Sequence, residues 1–130
     1  MLWDELKKRS IDGIEDLIVV IVQDNESNEV LMQAYADREA FEKTVETGKA
    51  HYYSTSRKKL WLKGESSGNI QAVREVLVDC DGDTVIYRVV QKGGACHKGY
   101  RSCFYRKAVQ GGLKVVGEKV FNPDEVYKKG

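Results

Sequence analysis

Five consecutive residues, Asp79-Cys80-Asp81-Gly82-Asp83, bring together two kinds of metal ligand. Carboxylates are hard oxygen donors suited to Mg²⁺ or Ca²⁺, whereas a thiolate is soft and selects zinc. In extended backbone, alternate side chains point to opposite faces. Asp79, Asp81 and Asp83 are therefore expected on one face and Cys80 on the other, so that one strand end serves two metals. Crowded carboxylates repel one another unless a cation neutralises them. An EF-hand fails on its required positions: counting from Asp79, the turn glycine falls on Thr84 and the bidentate glutamate on Val90. The plain alternative is a solvated acidic turn closing a hairpin, because Asp-Gly is a favoured turn pair.

The other two cysteines, Cys96 and Cys103, flank a run that continues through Phe104-Tyr105-Arg106 and begins in a glycine-rich stretch. Together with Cys80 they could supply three thiolates to zinc. Three protein ligands leave a fourth tetrahedral position for water, the layout of a catalytic site. Two other readings stay open. Cys96 and Cys103 could be small buried apolar residues, or His97 could close a structural Cys₃His site. No Cys-x₂₋₄-Cys pair of a familiar structural finger is present. His97, next to Cys96, suits a proton shuttle. His51, the second of the two histidines, reads as a surface or core residue. From Ser54 to Gln71, small residues with hydroxyl and amide donors accompany Arg57 and Lys63, a composition suited to phosphate. No Walker pattern accompanies them.

Those residues need a scaffold, and the pattern around them is strand-rich. Leu17 to Val22 is an apolar β-branched run. Asn25 to Asn28 reads as a turn and Glu29 to Ala36 as the returning strand. Asp37 is the expected cap of a helix to about Thr47, with Ala40, Phe41, Thr44 and Val45 as its apolar stripe and Gly48 as its stop. Short strands are expected at Ala50 to Ser54 and Lys59 to Lys63, with a polar loop from Gly64 to Asn69. Ile70 to Val78 reads as a strand, although part of its spacing suits a helix. Thr84 to Gln91, entered through Asp81-Gly82, is a further strand. Gly93 to Ser102 is a loop, and Phe104 to Val109 and Leu113 to Phe121 are strands broken at Gly111-Gly112. Asn122, Pro123 and Glu125 form a helix start with a capping box. Many strands, few short helices and no βαβ alternation indicate an α+β fold with a mainly antiparallel sheet.

Bulk composition agrees. The chain has 130 residues, 42% hydrophobic and 32% charged, which fits one domain over residues 1–130. Its apolar runs are too short to span a bilayer. Residues 1–10 show no secretory signal, so residence in the cytoplasm is the expectation. A net charge of +1 argues against a polyanion-binding module, so no nucleic acid partner is expected. Three cysteines in a reducing compartment suit ligands or nucleophiles better than disulfides.

Taken together, the stretches Ser54-Thr-Ser-Arg57, Leu60-Trp-Leu-Lys63-Gly-Glu65-Ser-Ser67-Gly-Asn69-Ile-Gln71, Asp79 to Asp83, Ala95-Cys-His97 and Ser102 to Arg106 resemble the phosphoribosyl-AMP cyclohydrolase family. Leu31-Met-Gln-Ala-Tyr35 extends the resemblance. Lys98 departs from it, standing where a threonine is usual. The resemblance implies a step of histidine biosynthesis: zinc-activated water hydrolyses the C6–N1 bond of the adenine ring of phosphoribosyl-AMP. It implies an intertwined homodimer in which one chain gives Cys80 and the other Cys96 and Cys103 to a shared zinc. Asp79, Asp81 and Asp83 would hold magnesium. His97 and Glu65 are the candidates to move the proton, and Arg57, Lys63, Ser67, Asn69 and Arg106 to bind substrate. A fused pyrophosphohydrolase, known in some relatives, is not expected here. The rival class is a zinc-stabilised nucleotide- or RNA-binding module without chemistry, favoured by Tyr100, Arg101, Tyr105 and Arg106 near the thiols. Zinc's fourth ligand separates the two: water for the hydrolase, a protein side chain for the module.

Overall fold

The computed structural model describes residues 2–124. After a 3-10 turn at Leu2–Glu5, the strands are β1 (Arg9–Ile11), β2 (Ile14–Asp24), β3 (Val30–Ala36), β4 (His51–Ser54), β5 (Lys59–Leu62), β6 (Gln71–Val78) and β7 (Thr84–Gln91), with β8 (Arg106–Val109) and β9 (Gly112–Val115) beyond. The α-helix among the described residues is α1 (Arg38–Thr47). The main sheet runs β5-β4-β3-β2-β7-β6, with β1 added beside β2, and β8-β9 form a separate ribbon. Every pairing is antiparallel except β2 with β7. This is the α+β, mainly antiparallel arrangement expected.

The β-branched run in β2 is central because both of its ladder edges are used. Leu17, Ile18, Val20 and Val22 are fully buried there, and the last three share a core with Val85, Tyr87 and Val89 of β7. Helix α1 closes one face through Ala40 and Phe41, with Trp3 of the N-terminal turn 5.8 Å from the Phe41 ring. Asp37 caps it by accepting the Ala40 N–H at 2.9 Å, and Gly48 ends it in the left-handed region. Thr44 belongs to the buried stripe, but Val45 does not: it is 54% exposed, one residue round the helix from the face that meets the sheet.

Two other expectations change. Of the two readings of residues 79–83, the structure takes the turn between β6 and β7 and not the extended strand end. Asp79 Oδ1 accepts the backbone N–H groups of Gly82 and Asp83 at 2.9 and 3.1 Å, which bends the chain back. Gly82 supplies the positive φ of 76° that this turn needs. The strand from Leu113 stops at Val115, because the chain then leaves the β8-β9 ribbon. Val116 and Gly117 both donate to the carbonyl of Tyr105. At the C-terminal side, the Asn122 side chain accepts the Asp124 N–H at 3.0 Å, as a cap should. Glu125, the other half of the expected capping box, lies outside the described residues.

Candidate functional site

A cleft of about 670 Å³ opens where the β4-β5 hairpin meets the loop after β7. Its lining includes Arg57 of the hairpin turn, Lys59 of β5, Glu65 and Ser67 of the 64–70 loop, and His97 and Cys103 of the loop after β7. A buried lysine lines it as well. Lys63 is 7% exposed and donates its ammonium N–H to the Ala95 carbonyl at 2.7 Å. Burial lowers its pKa, opposed by the neighbouring Cys103 and Cys96. Its Nζ also lies 5.9 Å from the centre of the Trp61 ring.

Cys96 is buried, and the side chain of Cys103 reaches it. Cys103 is exposed as a residue, yet partial desolvation of its sulfur against the loop first, then the adjacent Cys96, push its thiol up to about 12, while Lys63 pulls it down. Two thiols placed against each other resist ionising on their own and suit a cation that stabilises both charges. Cys80 is elsewhere. Gln71, at the start of β6, contacts Met32 Sδ in the cleft wall at 3.3 Å, whereas Cys80 lies beyond the other end of that strand. Eight residues of strand cover roughly 25 Å, at about 3.3 Å per residue. One chain therefore assembles two of the three thiols and leaves the third at the far end of the sheet.

Near Cys80, the carboxylates of Asp79, Asp81 and Asp83 offer oxygens within 4.8 Å of one another. The oxygen-only set fits a divalent cation such as magnesium. The cluster forms through the turn, not through the strand alternation expected from the sequence. A hydrogen bond with Asp79, and then the charges of Asp79 and Asp83, raise the Asp81 pKa. Asp83 is lowered by Arg9, whose Nε donates to Asp83 Oδ2 at 2.8 Å. Arg9 thus partly offsets the crowded negative charge in the folded chain.

The other expected residues divide. Asn69 packs behind the cleft loop, its Oδ1 so close to Gly93 that a Cβ there would lie 2.4 Å away. Arg106 is on β8, its guanidinium 5.4 Å from the Tyr105 ring, and is not among the cleft-lining residues. His51 holds the Lys49 carbonyl at 2.7 Å through Nδ1 and is likewise not a lining residue.

Several positioning groups were not expected from the sequence. Tyr52 donates its hydroxyl to Gln71 Oε1, and Gln71 Nε2 donates to Gln91 Oε1 at 2.8 Å. Gln91 then donates to the carbonyls of Asn69 and Lys92 at 3.1 and 2.8 Å, fixing the back of the cleft loop. Asp24 accepts from Arg101 at 2.8 Å, and Arg101 also meets Glu29 at 3.2 Å. This ties the cysteine-bearing loop to the β2-β3 hairpin. The available signal was a glutamine at one end of each of two paired strands, Gln71 of β6 and Gln91 of β7.

The fold and cleft define a small α+β protein in which Cys103, backed by buried Cys96, and cationic side chains meet at one cavity. The family model described as phosphoribosyl-AMP cyclohydrolase matches residues 32–105. A phosphoribosyl-AMP cyclohydrolase of Methanothermobacter thermautotrophicus is 60% identical over 125 residues, covering 95% of this chain and 90% of the relative. One from Methanococcoides burtonii is 58% identical over 123 residues, covering 95% and 98%. One from Desulfotalea psychrophila is 54% identical over 121 residues, covering 92% and 93%. The chain belongs to the phosphoribosyl-AMP cyclohydrolase family and is therefore an enzyme. That membership sets aside the non-catalytic binding module. Among the described residues, no helix is long and apolar enough to cross a membrane.

Proposed function

We propose that the cleft hydrolyses the C6–N1 bond of the adenine ring of phosphoribosyl-AMP, a step of histidine biosynthesis, in a homodimer whose sites are shared between chains. The observation that carries this reading is the pairing of Cys96 with Cys103, the latter lining the same cleft as Lys63, His97 and Glu65. Zinc held by Cys96, Cys103 and a second chain's Cys80 would, when bound, lower the pKa of a coordinated water to about 7.

The chain's own residues supply the rest. Arg57 and Lys59 stand at the cleft wall as anchors for phosphate oxygens, with the Ser67 hydroxyl beside them. Trp61 offers an apolar wall for the purine. Lys63 keeps its ammonium near the sulfurs and offsets the charge that develops when both thiols ionise. N1 carries a ribosyl substituent, which makes the ring electron-poor and C6 electrophilic. Adding water at C6 and breaking C6–N1 requires one proton to leave the water and one to reach N1. His97 and Glu65, which both line the cleft, can hold these protons. The acidic turn would hold magnesium through Asp79, Asp81 and Asp83 and help orient the substrate.

The separation of Cys80 from the other thiols supports the shared site. So do exposed apolar residues on the open edge strand β6, Leu77 at 42% and Val78 at 43%. On the outlying ribbon, Leu113 and Val115 are more than half exposed. The test is direct. Purified protein incubated with phosphoribosyl-AMP should open the ring, followed by ultraviolet absorbance, and Cys103→Ser should abolish turnover. Full turnover by Cys103→Ser would refute the thiol site.

A further inference from the structure

We propose that the segment from Val116 to Phe121 is a strap that sets the spacing of Cys96 and Cys103, with the Tyr100–Tyr105 stack as its buckle. The strap lies beyond the residues matched by the family model, which end at Tyr105. The inference rests on the reading that Cys96 and Cys103 hold a metal together.

The strap's backbone bonds converge on the thiol loop. Val116 and Gly117 donate to the Tyr105 carbonyl at 2.8 and 3.2 Å, and Val120 donates to the Gly99 carbonyl at 2.7 Å. Lys119 bridges to Tyr100, with its ammonium 5.9 Å from the Tyr100 ring. Tyr100 and Tyr105 stack with centroids 3.8 Å apart and planes 1° from parallel. Cys103 sits inside the arc that this stack closes. Cys96 sits at the start of a tight turn in which Gly99 N–H returns to the Cys96 carbonyl at 3.0 Å. The strap thus holds Gly99 from one side and Tyr105 from the other, adding a second anchor to the Cys103 arc, whose Cys103 N–H also donates to the Leu31 carbonyl at 2.7 Å.

The contact is too close for anything but glycine at its crossing points. A Cβ on Gly117 would lie 2.9 Å from Tyr105 Cβ. One on Gly99 would lie 2.5 Å from the Phe121 carbonyl oxygen. One on Gly94 would lie 2.6 Å from the Tyr100 carbonyl oxygen and 2.8 Å from Val120 Cγ2. The main hydrophobic core does not use the strap, since its C-terminal-most member is Ala95. Loosening the strap should therefore disturb the thiols while the sheet stays folded. Groups that orient metal ligands from behind commonly change affinity 10–100-fold when removed.

Full-length Gly117→Val, Tyr105→Leu and Tyr105→Phe proteins provide the test, with Co²⁺ as the metal probe. Gly117→Val forces the strap off Tyr105, Tyr105→Leu removes the stack, and Tyr105→Phe keeps it. The first two should weaken Co²⁺ binding by at least about tenfold and alter the thiolate-to-metal absorption bands. In metal-free protein they should also accelerate alkylation of buried Cys96 by about tenfold or more, with exposed Cys80 unchanged as the internal control. Tyr105→Phe should behave as wild type in both, and all thermal midpoints should stay close to wild type. Wild-type Co²⁺ affinity and wild-type Cys96 alkylation in Gly117→Val would overturn the strap. So would a Tyr105→Phe protein as impaired as Tyr105→Leu. Absence of thiolate bands in wild type would refute the metal reading instead, and Cys96 alkylation would still decide the strap.

Discussion

Replacing Gln71 by leucine should cost more than its size suggests. Gln71 is 1% exposed and sits in the main sheet among apolar neighbours. Its Oε1 accepts from Tyr52 and its Nε2 donates to Gln91 at 2.8 Å. Leucine approximates its volume, so the transfer and cavity terms are small. What remains is a Tyr52 hydroxyl and a Gln91 carboxamide oxygen, both buried and both without their partner. Each such group costs about 1–3 kcal/mol, so Gln71→Leu should lose about 2–6 kcal/mol. Urea denaturation read by tryptophan fluorescence measures this directly, with an unchanged slope if unfolding stays two-state. Tyr52→Phe should lose about 1 kcal/mol, and the double variant should lose less than the sum of the singles, because its second change removes an already orphaned donor. The cleft loop should feel the change through Gln91, which holds the Asn69 and Lys92 carbonyls. KM for phosphoribosyl-AMP is thus expected to rise. A loss below about 1 kcal/mol for Gln71→Leu, or strict additivity with Tyr52→Phe, would refute the idea of one coupled amide chain.

Other outcomes follow from the same geometry. The metal-free Cys103 thiol, pushed up to about 12, should alkylate slowly at neutral pH and faster as pH climbs toward that value. An unfolded thiol ionises near about 8.5, so the folded state keeps a proton that the unfolded state loses. Stability from this group is therefore full below pH ~8.5 and falls as pH rises toward the folded value, which thermal melts of metal-free protein across alkaline pH will check. Asp81→Asn should weaken the magnesium response of turnover while zinc content stays constant, measured by metal analysis; loss of zinc with an unchanged magnesium response would contradict the assignment. Gly64→Ala should distort the cleft loop, because φ is 88° and a Cβ would lie 2.6 Å from Ile70 N. A melting temperature several degrees lower and a raised KM are the expected signs.

Local chemistry made much of this architecture legible in the residues themselves. The apolar run of β2, the Asp37 cap and the Gly48 stop depend on neighbours only a few positions away, and each forms as expected. The acidic cluster was found for a partly wrong reason. Alternation along a strand would also gather the three aspartates, but it is the Asp79-centred turn that does so. Val45 misled because helical spacing gives a stripe and not its edges. The Tyr52–Gln71–Gln91 chain and the Asp24–Arg101 pair were invisible for a different reason. Each joins residues that meet only after distant strands and loops have packed, and a glutamine at a strand end does not name its partner. Arg106, expected to bind substrate from its position beside the thiol run, lies on the β8-β9 ribbon with its guanidinium against Tyr105, a contact that only the paired ribbon creates.

The central claim is a catalytic site whose thiols come from two chains, and subunit mixing tests it most directly. Cys80→Ser and Cys103→Ser proteins should each be inactive alone. After joint dissociation and reassociation, roughly half the dimers should be mixed. In each mixed dimer one site has lost two ligands and the other has all three. Ring-opening activity should therefore recover to roughly a quarter of wild type if the sites work independently. Activity that stays at the level of the separate variants, with mixed dimers confirmed by mass spectrometry, would contradict the shared site.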